Sequence, residues 1–420
     1  MKTIVLGGGV IGVTTAYYLA REGHDVVVLE RRDRLATDAT GGNAGLIAPG
    51  HSFAWASPAA PQMLLKSLRG EATAIRVKPR LDARLVSWGL QFLRECTPTR
   101  AEANTLVKLE LCRYSQGELD ELATAERIEY EQVQKGAAYL YRTEQELEAG
   151  VKKMDLLRRN GVPMNVLDAQ GVAQLDPAFA SAGETFAGGI HVTSDASGNS
   201  ELFTNELADR CKALGVEFEL GISVEAFLAE GDRVVGVKTD KGIRRGDTYV
   251  LALGVQSPFL SKTAGQRLPI YPAKGYSLTA DIVDSDAAPT VGGVDEATLV
   301  AWSRFGDQLR MSSTAEFAGF NRDWKFSDFS NMLKTGREIF PRAVNWERAR
   351  MRSCLRPMTP DGPPIIGRGK HSNLYYNTGH GHMGWTMACG SSRILSDVMA
   401  GRTPALGLEP FRVRTHRSAA

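Results

Sequence analysis

The sequence predicts an α/β protein in which a parallel sheet, covered on both faces, is interleaved with an α+β unit built on a mixed or antiparallel sheet. Three observations predict it. The first 30 residues read as strand, glycine turn, helix, strand. Two sequence textures then alternate along the chain instead of following one another. Glycine is in excess, 43 of 420 residues against a usual share of about 7%, and it falls in clusters with no collagen period.

Each element follows from its residues. TIVLGG, from Thr3, is a short apolar run bounded by glycine, as suits a strand buried on both faces. Val13 to Arg21 carries helical spacing and Gly23 stops it. DVVVLE, Asp25–Glu30, is a second buried strand, and this βαβ start implies a right-handed crossover. From about 51 to 195 the texture changes, with polar helical stretches at Arg100–Ala125 and Glu144–Asn160 and a strand-like GAAYLYR at Gly136–Arg142. Near Asn199 the α/β pattern returns. There Glu201–Leu214 reads as a helix, VEFELG as a strand, SVEAFLAEGDRVVGVKTDKG as a meander, and Asp247–Gly254 as a buried strand. Arg267 to Val344 differs again, with alternating strands such as LVAWSRF and DQLRMSS. From Asn345 the chain is glycine-rich and closes on a helix in SSRILSDVMAG. The expected division places 1–50, 196–266 and 345–415 in one domain, and 51–195 and 267–344 in the other.

Composition narrows the function classes. There are 50 Lys+Arg against 48 Asp+Glu, a net charge of +2 with no long basic tract, which argues against nucleic acid as the main partner. Five scattered cysteines without a C-x-x-C pair suggest neither a disulfide framework nor a zinc site, and point to a reducing compartment. Glycines 7, 8, 9 and 12 interrupt the first apolar stretch, which argues against a secretory signal. No apolar run reaches the roughly 18 residues of a membrane span, so a soluble protein, or one attached to a membrane surface, is expected.

Gly7, Gly9 and Gly12 form G-x-G-x-x-G between strand and helix. Such a turn brings backbone close to a pyrophosphate, and the first helical N–H groups, at Val10 and Ile11, face the phosphates. Glu30 ends the second strand, 18 residues after Gly12, where a carboxylate can accept from ribose hydroxyls. Arg31 and Arg32 follow it, either reaching the adenosine phosphate or lying solvated. NAD and FAD share this Rossmann fingerprint. Two further loops favour FAD: ATGGNAGLIAPG at Ala39–Gly50 and NTGHGHMGWTMACG at Asn377–Gly390. A flavin held at its two ends by distant parts of the chain explains both.

Over nearly its whole length the sequence resembles the bacterial FAD-dependent D-amino acid dehydrogenase small subunits, within the D-amino acid oxidase, glycine oxidase and sarcosine oxidase superfamily. The resemblance rests on GGNAGLIAPG at Gly41–Gly50, YRTEQELE at Tyr141–Glu148, IYPAKGYSLT at Ile270–Thr279, LRPMTPDGPPIIGR at Leu355–Arg368 and NTGHGHMGWTMACGS at Asn377–Ser391. It implies a glutathione-reductase type of FAD domain with FAD bound non-covalently. Gly7, Gly9, Gly12 and Glu30 would hold the ADP half, with Val224 meeting the adenine through its backbone. Asn43, Ala44 and Gly45 would lie beside the flavin, and Gly254 ends a strand at the cofactor. Gly381, Met383, Gly384, Trp385 and Thr386 would form the loop over the isoalloxazine carbonyls.

Arg356 corresponds to the arginine that pairs with the substrate carboxylate in related oxidases. A carboxylate in a low-dielectric pocket needs a fixed cation, and the guanidinium fork fits it with two parallel bonds. Arg352, four residues earlier, is the competing candidate. His51 stands where the family pattern has tyrosine, as a substrate-binding candidate at a position that would line the substrate entrance, and Cys354 stands where glycine is usual. Cys354 reads as a buried structural thiol. His380 and His382 read as a catalytic base or as loop residues packed near the flavin, and Tyr276 as a carboxylate-binding hydroxyl or a strand aromatic.

The reaction these imply is oxidative deamination of a D-amino acid to a 2-oxo acid and ammonia, by hydride transfer from Cα to FAD. An acceptor such as a membrane quinone would take the electrons. The implied location is the cytoplasm, or the inner face of the cell membrane by peripheral attachment. The alternatives are an oxygen-using glycine, sarcosine or D-proline-type oxidase, a flavoprotein subunit without catalysis, and a nicotinamide dehydrogenase.

Overall fold

The computed structural model describes residues 1–69, 75–78, 80–180 and 185–413; positions 414–415, the expected end of the first domain, lie outside them. The opening residues form β1 (Lys2–Leu6), α1 (Val10–Arg21) and β2 (Asp25–Glu30). β1 and β2 pair in parallel with Val5 opposite Val28. A six-stranded sheet grows around them in the order Ile365–Arg368, Leu374–Thr378, Thr248–Leu251, β1, β2, Glu217–Leu220. Every pairing is parallel except the outermost one, between Ile365–Arg368 and Leu374–Thr378.

Alternation along β1 explains why its strand is apolar throughout. Val5 faces one core, built with α1 and the helices Ser200–Ala213 and Gly384–Met399. Ile4 and Leu6 face the other, where Phe227, Val234 and Val237 of a three-stranded meander cover the sheet. A side-chain period of two, with both faces covered, requires an uninterrupted apolar run.

The second sheet has nine strands and is mainly antiparallel. Arg350–Met358, Tyr271–Asp281, Gln308–Phe317, Val300–Phe305, Gly292–Asp295, Ala137–Tyr141, Gly188–Val192 and Met164–Asp168 lie side by side, and Ile75–Val77 adds to Gln308–Phe317. Two pairings are parallel, Gly292–Asp295 with Ala137–Tyr141 and Ile75–Val77 with Gln308–Phe317. Its core contains Trp302, Phe329 and Phe340, all fully buried.

Three expectations need correction. The stretch 345–415 does not belong to one unit. Strand Arg350–Met358 pairs along Tyr271–Asp281, from Tyr271 opposite Met358 to Thr279 opposite Arg350, and so lies in the second sheet. Helix Pro98–Glu126, expected with the second unit, packs Leu111, Cys112, Leu119 and Leu122 into the core of the first. The helix expected in SSRILSDVMAG starts earlier, at Gly384. Its glycines read as loop but serve close packing: a Cβ on Gly390 would stand 2.8 Å from the Cα of Ser115. The Ser115 hydroxyl accepts from the Gly390 N–H at 3.0 Å across the same crossing.

Candidate active site

The glycine turn is built by contact. A Cβ on Gly12 would lie 1.8 Å from the carbonyl oxygen of Gly7, and one on Gly7 would lie 2.7 Å from that of Ala252. Gly7 also takes φ +115°, a region closed to other residues at low energy. The N-terminus of α1 therefore opens directly over the ends of β1 and Thr248–Leu251, with its partial positive charge toward the space beyond. The Thr40 hydroxyl accepts from the Val10 N–H at 3.0 Å. Glu30 accepts from the N–H groups of Gly8 at 2.7 Å and Arg32 at 2.9 Å. A bond from the Ile222 N–H to the Glu30 carbonyl, 2.9 Å, brings Val224 to the same end.

A cavity of about 350 Å³ extends from this turn. Gly7, Gly9, Val10, Ile11, Glu30, Arg31 and Val224 line it. So do Asn43, Gly254, Arg356, His380, Gly381, Gly384 and Trp385. Residues from three distant stretches of the chain thus share one space.

The other sequence candidates are not on its wall. Gly12 is packed inside the turn. Ala44 and Gly45 sit behind Asn43, whose side-chain oxygen accepts from the Gly45 N–H at 2.8 Å. Met383 is buried in the core of the first sheet. Thr386 latches its helix to the Leu46–Ala48 segment, accepting from the Ala48 N–H at 3.2 Å and donating to the Leu46 carbonyl at 3.3 Å. His51, expected at the substrate entrance, stacks on Tyr139 at 5.3 Å and pairs with Glu296 at 3.1 Å. Burial pushes the Glu296 carboxyl up, but His51 and Lys153 outweigh it and hold it near about 2. Tyr276 lies in the second core with its hydroxyl donating to Glu316 at 3.3 Å. The strand-aromatic reading is the one its contacts support.

The two arginine candidates separate cleanly. Side chains alternate along Arg350–Met358, so Arg352, Cys354 and Arg356 share a face. Arg352 donates to the carbonyls of Gly41 at 2.8 Å, Thr37 and Asp38. Arg310 supports the same loop through Gly41 at 2.9 Å and Asn43 at 3.1 Å. Arg352 therefore holds the loop. Arg356 lies over Gly275, where a Cβ would come within 2.5 Å of its guanidinium carbon, and donates to the Ser312 hydroxyl at 3.3 Å. Burial pulls this guanidinium below the ordinary arginine value, and Cys354 acts in the opposite sense. Cys354 is wedged beneath Gly42, 3.1 Å from where a Cβ there would stand.

Both loop histidines are held neutral by burial. His380 is pushed down to about 3 and bonds Ser391 through Nε2 at 2.9 Å. His382 stacks on Trp55 at 4.8 Å and is lowered by burial, then by the charges of Lys108, His51 and Arg356.

The cavity fits a flavin dinucleotide. Its wall includes Asn377, His382 and Trp385, and the Asn377 Oδ1, His382 Nε2 and Trp385 Nε1 atoms are buried without a protein partner. Buried polar atoms are normally bonded, so these three mark where a polar ligand belongs. Sequence reasoning missed Thr40, Asp38, Asn377 and Arg322 on this wall. Thr40 and Asp38 stand just before the glycines of the Ala39–Gly50 loop, and that proximity was the available signal. No group of three or more His, Cys, Asp or Glu able to hold a metal occurs among the described residues.

Comparison with known proteins agrees with this geometry. The family model described as DAO, FAD dependent oxidoreductase, matches residues 2–398. The chain is 42% identical to D-amino acid dehydrogenase 2 of Mesorhizobium japonicum over 407 residues, covering 97% of this chain and 98% of the relative. It is 42% identical to D-amino acid dehydrogenase of Allorhizobium ampelinum over 402 residues, 96% of this chain and 95% of the relative. Among solved structures it is similar in fold to glycine oxidase from Geobacillus kaustophilus, with TM-score 0.75, 20% identity, and coverage of 99% and 98% of the two chains.

Proposed function

The chain belongs to the DAO family of FAD-dependent oxidoreductases, and from that premise we propose that it deaminates D-amino acids oxidatively, with Arg356 gripping the substrate carboxylate. One observation carries the assignment of Arg356: this arginine lines the cavity that the dinucleotide turn opens into, and Arg352 does not. The D-configuration is supported by the names of relatives similar over almost the entire chain.

When bound, FAD supplies the two-electron acceptor for the Cα–H bond. Gly7, Gly9, Val10 and Ile11 would hold its phosphates, Glu30 and Val224 its adenosine end, and Asn377, Gly381 and Trp385 its flavin end. Arg356 fixes the substrate through two parallel charge-assisted bonds, and Gly275 leaves room for its guanidinium to lie flat. His382, neutral and with Nε2 unpartnered, offers a hydrogen bond to the amine without adding charge. The amine proton leaves to solvent before oxidation, and water later hydrolyses the imine to a 2-oxo acid and ammonia. Positioning supplies much of the rate of such a step.

The electron acceptor we propose is a quinone reached at the inner face of the cell membrane. Helix Ala83–Glu95 supports this reading. It buries Trp88 and Phe92, yet Val86, Leu90 and Leu93, at helical spacing on another side, are exposed, as is Leu81 just before it. Arg80, Arg84 and Arg94 are exposed around them. An apolar stripe flanked by cations suits an anionic lipid surface. No helix among the described residues is long and apolar enough to cross a membrane.

The experiment is an anaerobic mix of the flavoprotein with D-amino acids, L-amino acids and N-methyl amines, read as loss of flavin absorbance. Bleaching by D-amino acids is expected. Bleaching by L-amino acids or N-methyl amines alone overturns the substrate assignment.

A further inference from the structure

The segment after β2 and the loop after strand Gln308–Phe317 belong to different sheets and meet at the mouth of the cavity. Asp38 and Arg322 both line it, and their side chains are 37% and 30% exposed. The pair they form therefore stands where the cavity meets solvent. The guanidinium engages both carboxylate oxygens, Nη1 to Oδ1 and Nη2 to Oδ2 at 3.2 Å, the two-point geometry that makes such pairs specific. Arg31 reaches Asp38 Oδ2 at 2.6 Å, and Arg32 stands 3.6 Å from Oδ1.

Neither partner is a loose surface arm. Two residues after Asp38, the Thr40 hydroxyl takes the Val10 N–H, tying this segment to the helix N-terminus that favours anions. Arg322 is anchored from the other sheet: the Ser353 hydroxyl donates to its carbonyl, and Ser353 is on the strand that carries Arg356.

We propose that the Asp38–Arg322 pair is a clasp across the mouth of the cavity that sets how fast FAD leaves. The proposal rests on the reading above for the cofactor, and on nothing about the substrate. The two residues act as a unit, since losing either one opens the same mouth. Arg31 and Arg32 stay on the Asp38 side when the clasp opens and keep that rim attractive to phosphate.

The test measures FAD appearing in the ultrafiltrate of diluted holoprotein over time, for the unmodified chain, Asp38→Asn, Arg322→Met and the double variant. Each single variant is expected to release FAD about tenfold faster, and the double no faster than the singles. Because the pair is part-exposed, salt screens it; release from the unmodified chain should quicken with salt, and more steeply than release from Asp38→Asn, where only the phosphate attraction of Arg31 and Arg32 is left to screen. Unchanged release in the singles overturns the clasp. So does release raised in Arg322→Met alone, or a double variant equal to the product of the singles. If a variant fails to fold, the salt series on the unmodified chain still decides, and an absent salt response overturns the proposal. No substrate enters the measurement, so failure of the D-amino acid reading would leave the release rates untouched.

Discussion

Arg352 and Arg356 stand four residues apart on one face of one strand, and only Arg356 is on the cavity wall. Arg352 is bound to the carbonyls of Thr37, Asp38 and Gly41. The same chemistry, shifted along the strand by two pleats, becomes a brace in one case and, in the function proposed above, the substrate grip in the other.

Replacing Arg356 by Ala or Lys should raise the substrate KM strongly while FAD stays bound. Breaking a buried charge pair costs roughly 3–5 kcal/mol. Arg352→Ala should instead leave KM near its original value and lower the flavin content. Steady-state kinetics beside the ratio of flavin to protein absorbance separates the two, and the reverse pattern would exchange the assignments.

Gly12→Ala should yield protein without flavin. The added methyl carbon would sit 1.8 Å from the Gly7 carbonyl oxygen, so strand and helix must part, at a cost of about 1–3 kcal/mol or more. Flavin content and thermal unfolding of the purified variant read both effects.

Asp195 sets a pH dependence of stability. Its carboxyl is fully buried and pushed by burial up to about 7, against the bonds from Tyr139 and Gly50 that favour its charged form. The folded protein holds this proton between about pH 4 and 7 while the unfolded chain does not. The stabilisation is thus complete at the acid end and is lost as pH rises to about 7. Asp195→Asn removes the charge while its oxygen still accepts from the Gly50 N–H and its amide N–H donates to the Tyr139 hydroxyl in place of the bond accepted from it. It should raise Tm at pH 8, by a gain on the order of a few kcal/mol, and leave Tm at pH 4 nearly unchanged. Equal shifts at both pH values would refute this.

His382→Phe keeps a ring to stack on Trp55 but deletes the unpartnered nitrogen. Losing one hydrogen bond to the substrate amine should lower kcat/KM about tenfold, near 1.4 kcal/mol, with flavin content unchanged. A variant as active as the original would leave the amine without this partner.

Leu90→Glu, on the exposed stripe of helix Ala83–Glu95, should abolish co-sedimentation with vesicles of mixed zwitterionic and anionic phospholipid. It should not alter flavin bleaching by the substrate. If the unmodified protein ignores such vesicles at low salt, the surface has another use.

The elements that were legible in the sequence were those whose pattern is local. Gly7, Gly9, Gly12 and Glu30 lie within one βαβ unit, and turn, helix and strand each announce themselves there. The Asn377–Gly390 loop was visible as a glycine cluster, but Gly390 read as loop because the reason for it, Ser115, is 275 residues away. The same limit hid Arg322 and the sheet membership of Arg350–Met358, both decided by partners distant in sequence. Asp38 and Thr40 were nearer to sight, beside the glycines that were read. Tyr276 and His51 carried plausible chemistry, and only their neighbours, Glu316 and Glu296, show where that chemistry is directed.

The strand order of the six-stranded sheet carries a consequence for biosynthesis. β1 is made first, but its second neighbour is Thr248–Leu251, and that strand in turn needs Leu374–Thr378. Until Thr248–Leu251 leaves the ribosome, β1 presents an unpaired apolar edge of the kind that aggregates, and until Leu374–Thr378 follows, that strand does the same. Asn377 to Trp385 help line the cavity, so its wall is incomplete until they too have been made. Contacts this remote in sequence also make for slow folding. Yield of soluble protein should therefore respond more to chaperone supply and synthesis rate than to flavin supplied during translation.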